Sequence, residues 1–229
     1  MFDIWLSLRA IPEMLSGIGI TFSLLFLSLA FGFALAVALL LMRISGYRSL
    51  SWPAQAYIYI FRGTPILVQI FIIYYGLPQF EWIRESIFWP ILRDPFGCTI
   101  VALSLNSGAY IAEILRGGVL GVPQGVTEAG KALGLSPRDR FIYLISPIGL
   151  RLSLPALGNE VVSMLKSTAL ASTVTLMDMT GISRTLMAEY FAPYEIFVTL
   201  AIIYMLLTYG LQKSMAQIEH RMGRYTRKE

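Results

Sequence analysis

The sequence predicts an all-α membrane protein that crosses the bilayer five times. Hydrophobic residues make up 56% of its 229 residues and charged residues 14%, whereas a soluble domain averages roughly 45–50% and about 25%. Five stretches are also apolar over a length close to the roughly 20 residues that a helix needs to cross a bilayer. The composition therefore argues against a soluble domain, a nucleic-acid-binding protein and a disordered chain.

The predicted spans follow one another along a single transmembrane domain of residues 1–229. The first is free of charge, and it is too long and too far from the start for a cleaved signal peptide. The third contains Glu113 near its end, and the fourth is polar for a span because it carries Glu160 and Lys166. The spans cover about residues 14–42, 53–77, 95–115, 156–177 and 196–212.

The second span is interrupted by the sequence Arg62-Gly63-Thr64-Pro65. Proline removes a backbone donor and disfavours helix in the residue before it. A broken helix within a membrane is tolerated only against protein or a water-filled cavity. We therefore predict that the span kinks or restarts here, near the cytoplasmic side, with Arg62 at the interface. A kink and a substrate site both remain open as its purpose.

Basic residues collect on one side of the predicted spans, which sets the orientation of the chain. The opposite side carries only Arg9, Arg84, Arg93 and Arg184, offset by eight acidic residues. Because positively charged loops stay in the cytoplasm, the N-terminus is predicted outside and the C-terminus inside. The residues on the basic side are Arg43, Arg48, Arg116, Lys131, Arg138, Arg140, Arg151, Lys213, Arg221, Arg224, Arg227 and Lys228.

The connection from 118 to 155 is too polar to span, yet it carries helix signals. Val122-Pro123 opens a short helix with proline at its first position, and Gly134 ends it as a C-terminal cap. Ser136 and Asp139 have the spacing of a capping box for a second short helix. Two helices joined by a glycine turn would form a rigid projection, although an ordinary structured loop fits these signals as well.

Residue types needed for metal or redox chemistry are scarce. The one cysteine, Cys98, allows no internal disulfide, and the one histidine, His220, has no cysteine or histidine near it in the sequence. The sequence also lacks the motif Gly-x-x-x-x-Gly-Lys-Ser/Thr that binds ATP phosphates. We therefore expect no catalytic residue, no metal site and no enzymatic activity in this chain.

Four sequence blocks resemble the membrane subunits of ABC importers for polar amino acids, and they occur in the order of that family. Residues 128–134, EAGKALG, followed by Ser146-Pro147 and Leu154-Pro155, resemble the EAA loop. Gly130 stands where that loop usually has alanine, and Ser146 stands where it usually has leucine. The other blocks are FRGTPILVQ at 61–69, NSGAYIAEILRGG at 106–118, and NEVV at 159–162 with KSTAL at 166–170.

The resemblance implies a type I importer permease in the bacterial inner membrane, with a cytoplasmic coupling helix in the EAA loop of about 118–155. Two permease subunits would form the pathway, a partner ATPase dimer would bind ATP and magnesium, and an extracytoplasmic receptor would deliver the substrate. The histidine, octopine and nopaline subgroup is the most similar. It favours a heterodimer with a second homologous permease, and basic amino acids, histidine or opines as substrates. The residues expected to contact the ATPase are Glu128, Ala129, Gly130, Ala132, Leu133 and Gly134.

Polar residues of the third and fourth spans are the candidates for the substrate pathway. Because charge at membrane depth is costly, Glu160 and Lys166 are expected to point inward, and Lys166 could pair with Glu113 if their depths match. A structural ion pair and a direct substrate contact remain equally open: a carboxylate could use Lys166, and a cationic group Glu113 or Glu160. The candidates are Asn106, Glu113, Asn159, Glu160, Ser163, Lys166 and Ser167.

A different class of transporter is the main alternative. A self-sufficient secondary transporter or channel normally has inverted repeats and more spans than five. A protein that only anchors other subunits would not need so polar a fourth span. Membrane lipid is an expected partner under every interpretation.

Overall fold

The computed structural model describes residues 3–223, all of which belong to helices or the short connections between them. Arg224, Arg227 and Lys228 of the basic tail lie outside the described residues. The α-helices are α1 Ile4–Ser16, α2 Ile18–Ile44, α3 Arg48–Gly63, α4 Ile66–Phe71, α5 Glu81–Arg84, α6 Trp89–Leu92, α7 Pro95–Leu120, α8 Gln124–Ala132, α9 Pro137–Arg140, α10 Ser146–Thr168, α11 Met179–Tyr190 and α12 Pro193–Gly223.

Four helical stretches of the described chain are long and apolar enough to cross a membrane. They are α2, α7, the continuous run Pro137–Val174 and the α12 stretch Pro193–Met222. There are five if α3 and the stretch Ile66–Gln79, which meet at a bend of 105°, are counted together as one broken span. The predicted fold class, an all-α protein with about five spans, is confirmed.

The N-terminal end of the first span differs from its prediction. Residues 4–16 form a separate helix, α1, whose N-terminus is capped by the Asp3 carboxylate, which accepts from Trp5 N at 2.9 Å. The first span itself begins at Ile18. Sequence reasoning missed α1 because it is short and amphipathic and directly precedes a much stronger apolar run.

The fourth span begins earlier than predicted, and the predicted second short helix is not a separate element. Ser136 caps the helix by accepting from Asp139 N at 3.1 Å. The chain then stays helical through α9, a π-helical turn at Phe141–Ile145 and α10. This widened turn lies just before Pro147. It leaves room for the proline ring and tolerates the absence of a backbone N–H at that residue, so the helix continues.

The third span, α7, lies at the centre of the bundle and contacts α2, α3, α4 and α10. At its crossing with α2, Gly32 lies directly against Ser107, without room for a β-carbon. At its crossing with α10, Gly118 lies against the Gly149 carbonyl and the Ser153 side chain in the same way. Small residues therefore allow these backbones to approach closely, as is common in membrane bundles.

Candidate functional site

The break in the second span separates α3 from α4 and lies against the middle of α7. Thr64 and Pro65 are extended, with ψ angles of 144° and 133°, so no helix passes through them. The Phe61 carbonyl, which would bond to the missing N–H of Pro65, instead accepts from Asn106 Nδ2 of α7 at 3.1 Å. Asn106 is about midway along α7, so the break lies against the middle of that helix. The expected position near the cytoplasmic side stays a prediction.

A cavity of about 410 Å³ opens between this break, α7 and α10. It brings together eight of the residues that the sequence singled out, four from the break, one from α7 and three from α10. Sequence reasoning did not select Ile66, Tyr110 and Met164, which also line it. The predicted residues at the cavity are Arg62, Gly63, Thr64, Pro65, Asn106, Glu160, Ser163 and Ser167.

The cavity contains one basic and one acidic side chain. The guanidinium carbon of Arg62 lies 5.1 Å from the centre of the Tyr110 ring, a cation–π contact that holds this cation beside the cavity. Glu160 lines the cavity from α10. Within the described residues these two charges form no ion pair with each other or with another side chain. Both charges are therefore available to a zwitterionic ligand.

Glu113 does not join the cavity, and the match in depth on which a pairing with Lys166 depended is absent. Its carboxylate lies 2.8 Å from Arg116 Nη2 and 3.7 Å from Arg43 Nε. Ser153 Oγ donates to the Ile114 carbonyl at 3.2 Å, which places Ser153 level with Glu113. Lys166 follows roughly 20 Å further along the same helix, at 1.5 Å per residue. The two side chains therefore lie at different depths.

Lys166 and Asn159 are exposed on the described chain and do not line this cavity, so the expectation that Lys166 points inward stays a prediction. Glu113 has a structural setting, since Arg43 also donates to Gln55 Oε1 at 2.8 Å. The resulting network of charged and polar side chains joins α2, α3 and α7. Two roles were left open for these acids, a structural ion pair and a contact with the substrate. Glu113 fits the structural role, and Glu160 fits the contact with the substrate.

A short helix, α8, projects from the end of α7. Pro123 is its N-cap rather than its first helical residue. Gly134 ends it with a φ of 75°, in the left-handed region. Leu135 N donates to the Gly130 carbonyl at 3.0 Å and Gly134 N to the Lys131 carbonyl at 2.9 Å, the two bonds of a Schellman motif. The α8 helix thus ends in a defined turn.

The residues of α8 divide between two faces. Gly130 is buried, and a β-carbon there would lie 2.8 Å from Leu144 Cδ1 and 3.0 Å from Arg140 Cγ. Glycine in place of the usual alanine therefore lets α8 pack on the start of the next helix. The other predicted contacts are exposed, with 78% of Leu133 accessible. The exposed set is Glu128, Ala129, Ala132, Leu133 and Gly134.

Residues 28–224 match the protein family described as the inner membrane component of binding-protein-dependent transport systems. The chain belongs to this family. The predicted resemblance is thereby confirmed, and the alternative of a self-sufficient secondary transporter or channel is set aside. The chain is an inner-membrane permease subunit of an ABC transporter, which is not itself the ATPase, and it works with an ATPase and a substrate-binding protein.

Named relatives and solved structures agree with this membership. The chain is 47% identical to the octopine transport system permease protein OccM of Rhizobium meliloti, over 90% of this chain and 84% of the relative. It is 41% identical to the nopaline permease protein NocM of Agrobacterium fabrum, over 92% and 88%. The histidine/lysine/arginine/ornithine permease protein HisM of Escherichia coli is 38% identical, over 90% and 87%.

A crystal structure of an amino acid ABC transporter with histidines matches this fold with a TM-score of 0.86. The two chains are 32% identical, and the match covers 96% of this chain and 99% of the other. The MetNI methionine ABC transporter matches with a TM-score of 0.67 at 20% identity, covering 96% and 97%, which shows the shared fold.

Proposed function

We propose that this permease subunit imports polar amino acids of the basic, histidine or opine type. The observation that carries the proposal is the cavity at the helix break, with Arg62 and Glu160 on its walls and no ion pair between them. Arg62 is suited to the carboxylate of the solute, and Glu160 to an ammonium or guanidinium group. Relatives that are named for octopine, nopaline and histidine transport support this choice of substrate class.

The proposal assigns α8 as the coupling helix, docked on the ATPase through its exposed face. Its length is fixed at both ends, by Pro123 and by the Gly134 turn, so it can transmit force as a rigid body. The side chain of Leu133 has no apolar cover within the described chain, which suits a protein partner. Glu128 adds a charge to the same helix. Gly130 acts indirectly, by seating α8 on α9.

ATP and magnesium are assigned to the partner ATPase alone. Residues 125–131 of this chain fit the first seven positions of the phosphate-binding motif, but Ala132 supplies no hydroxyl for the metal. The same residues lie within the helix α8, not in a loop that could wrap a phosphate. No cofactor of its own is proposed for the permease subunit.

The proposed assembly has a second, homologous permease subunit, paired as a heterodimer. The N-terminus lies outside and the C-terminus in the cytoplasm, in agreement with the basic residues beyond the ends of α2, α7 and α12. Apolar side chains such as Phe26, Phe31 and Leu206 remain exposed on the described chain, which suits contact with lipid or the second permease.

Reconstitution tests this function directly. The subunit is placed in liposomes with its permease partner, its ATPase and its receptor, and uptake of labelled arginine, histidine, octopine and glutamate is measured. We expect uptake of one or more of the first three that stops when ATP is omitted. Uptake of glutamate alone, or uptake that does not depend on ATP, would contradict the proposal.

A further inference from the structure

Two buried carboxamides meet at the helix break beside the cavity. Gln69 of α4 is 6% exposed and Asn106 of α7 is 8% exposed, and Asn106 Nδ2 donates to Gln69 Oε1 at 3.0 Å. We propose that Gln69 is a positioning residue of the transport site: it fixes the broken helix and turns Oδ1 of Asn106 toward the cavity, as the acceptor for an N–H group of the solute. The inference rests on the proposed amino-acid transport.

The first part of the proposal follows from the proline. Pro65 has no N–H, so the Phe61 carbonyl four residues earlier loses its helical donor. Gln69 Nε2 replaces that donor at 2.9 Å and Asn106 Nδ2 adds a second bond at 3.1 Å. Gln69 Nε2 also donates to Thr64 Oγ1 at 2.8 Å and to the Thr64 carbonyl at 3.2 Å. The pair thereby fixes Arg62 to Thr64, which line the cavity.

The second part follows from the chemistry of the acceptor. A carbonyl oxygen can only accept, so both side chains must turn their amide nitrogens toward Phe61. This orients both carboxamides without ambiguity. Gln69 Oε1 then holds the Asn106 nitrogen from a second side. Within the described residues no donor reaches Asn106 Oδ1, and Asn106 lines the cavity. Its oxygen is left to the solute.

The solute class follows from counting donors. An ammonium group has three N–H donors and a guanidinium group has five. The carboxylate of Glu160 can accept only from one side of such a group, so a neutral oxygen elsewhere on the cavity wall accepts from another. Every amino acid has an α-ammonium group, but a basic amino acid has a second group rich in N–H donors, so it can bond to Glu160 and to an oriented Asn106 at the same time.

Equilibrium binding of L-arginine to the purified permease–ATPase complex, without receptor, tests the inference. Gln69→Met keeps the length of the side chain and removes its hydrogen bonds, and we expect about 10-fold weaker binding. In the Asn106→Asp variant the side chain has two equivalent oxygens, so an oxygen faces the cavity whichever way the group is turned. In that background Gln69→Met still loosens the broken helix but no longer disturbs an oriented oxygen, so we expect a smaller loss, of about 3-fold. An equal loss in both backgrounds indicates a merely structural glutamine and overturns the inference.

Gln79→Met is the matched control, because Gln79 is exposed and donates only to the Tyr75 carbonyl at 3.0 Å. We expect it to bind arginine like the parent chain. If Gln69→Met does not assemble, Thr64→Val serves in its place: Thr64 is exposed and the change removes the Thr64 hydroxyl partner of Gln69. About 3-fold weaker binding is expected there, and unchanged binding overturns the inference.

The unmodified complex separates the two proposals. If it drives no ATP-dependent uptake of cationic amino acids, histidine or opines, the proposed function fails. If it takes up arginine but Gln69→Met binds arginine with unchanged affinity, the positioning role alone fails. Uptake of arginine without detectable binding in the absence of receptor also overturns the positioning role, since a site oriented in advance should bind on its own.

Discussion

At the scale of single residues, the proposed chemistry depends on one basic and one acidic side chain that form no ion pair in the part of the chain that the structure describes. Arg62 is held over Tyr110, and Glu160 faces the same cavity from α10. Glu113 and Lys166 show the contrast, because the first is neutralised by arginines and the second is exposed and does not line the cavity. Charge at membrane depth is costly. An acidic side chain such as Glu160, placed in a span without an ion pair, is therefore a candidate for a role in transport.

Replacing Glu160 by glutamine removes this charge while it keeps the size of the side chain. We expect uptake of arginine by the reconstituted importer to fall at least about 10-fold, because the cationic group loses its counter-charge. Assembly with the ATPase should be unaffected. Glu189→Gln, at an exposed position of α11, is the control and should transport normally. Full activity of the Glu160 variant would show that the solute does not meet this carboxylate.

Glu128→Lys reverses a charge on the exposed face of α8. If this face docks on the ATPase, we expect the subunit to insert but to lose most substrate-stimulated ATP hydrolysis, since a charged contact at an interface becomes repulsive. Lys131→Glu, one turn away, shows whether any charge reversal on α8 has the same effect. Normal stimulated hydrolysis by the Glu128 variant would remove that residue from the coupling contact.

At the scale of elements, close backbone contact decides how α7 and α10 cross. The α10 carbonyl of Gly149 and the side chain of Ser153 occupy the space beside Gly118. Ser153 then donates to the Ile114 carbonyl and fixes the register of the two helices. This register places Glu160 and Ser163 opposite Asn106 and Tyr110. The crossing of α7 and α10 therefore positions the residues of the cavity, although the cavity lies several helical turns from the crossing point.

Gly118→Val inserts a branched side chain into this crossing. We expect a loss of about 1–3 kcal/mol in the free energy of unfolding, as for other overpacked sites, measured by thermal or denaturant unfolding in detergent. Gly117→Val is the matched control, because a β-carbon at Gly117 meets nothing within 4 Å. Equal stability of the two variants would show that the helices separate at this point without cost.

At the scale of the whole molecule, the subunit is organised around α7. The broken second span packs on this helix, and α2 and α10 cross it at Gly32 and Gly118. The break lies against the middle of α7, and α8 projects from the end of the same helix. The helix α7 contacts the break at Asn106, and the short connection 121–123 joins its end to α8. Under the proposed function, α7 thus links the cavity to the helix that docks on the ATPase. This connection is what an importer requires, since ATP binding beneath the membrane must open a site within it.

The proposed orientation is tested with single cysteines at opposite ends of the bundle. Ile87, in the connection before α7, is 86% exposed, and Gln217 is exposed in the last turns of α12. With a membrane-impermeant maleimide, we expect Ile87→Cys to label in intact spheroplasts and Gln217→Cys only after lysis. The native Cys98 is buried and should give little background. The reverse labelling pattern would show that the chain has the opposite orientation in the membrane.

The sequence by itself determined the class of the molecule, its family and the positions of its helix signals. Apolar runs reveal spans. Pro65 and Gly134 act through their own backbone, and Ser136 acts through a hydroxyl that caps the next turn, so none of the three depends on a distant neighbour. Only the tertiary structure decided which polar residues meet. Glu113 and Glu160 look alike along the chain, and Gln69 looks like an ordinary polar residue. Their partners lie on other helices. The depth of each side chain and the direction in which it points therefore depend on how the helices cross, as α7 and α10 do where Gly118 packs against Ser153.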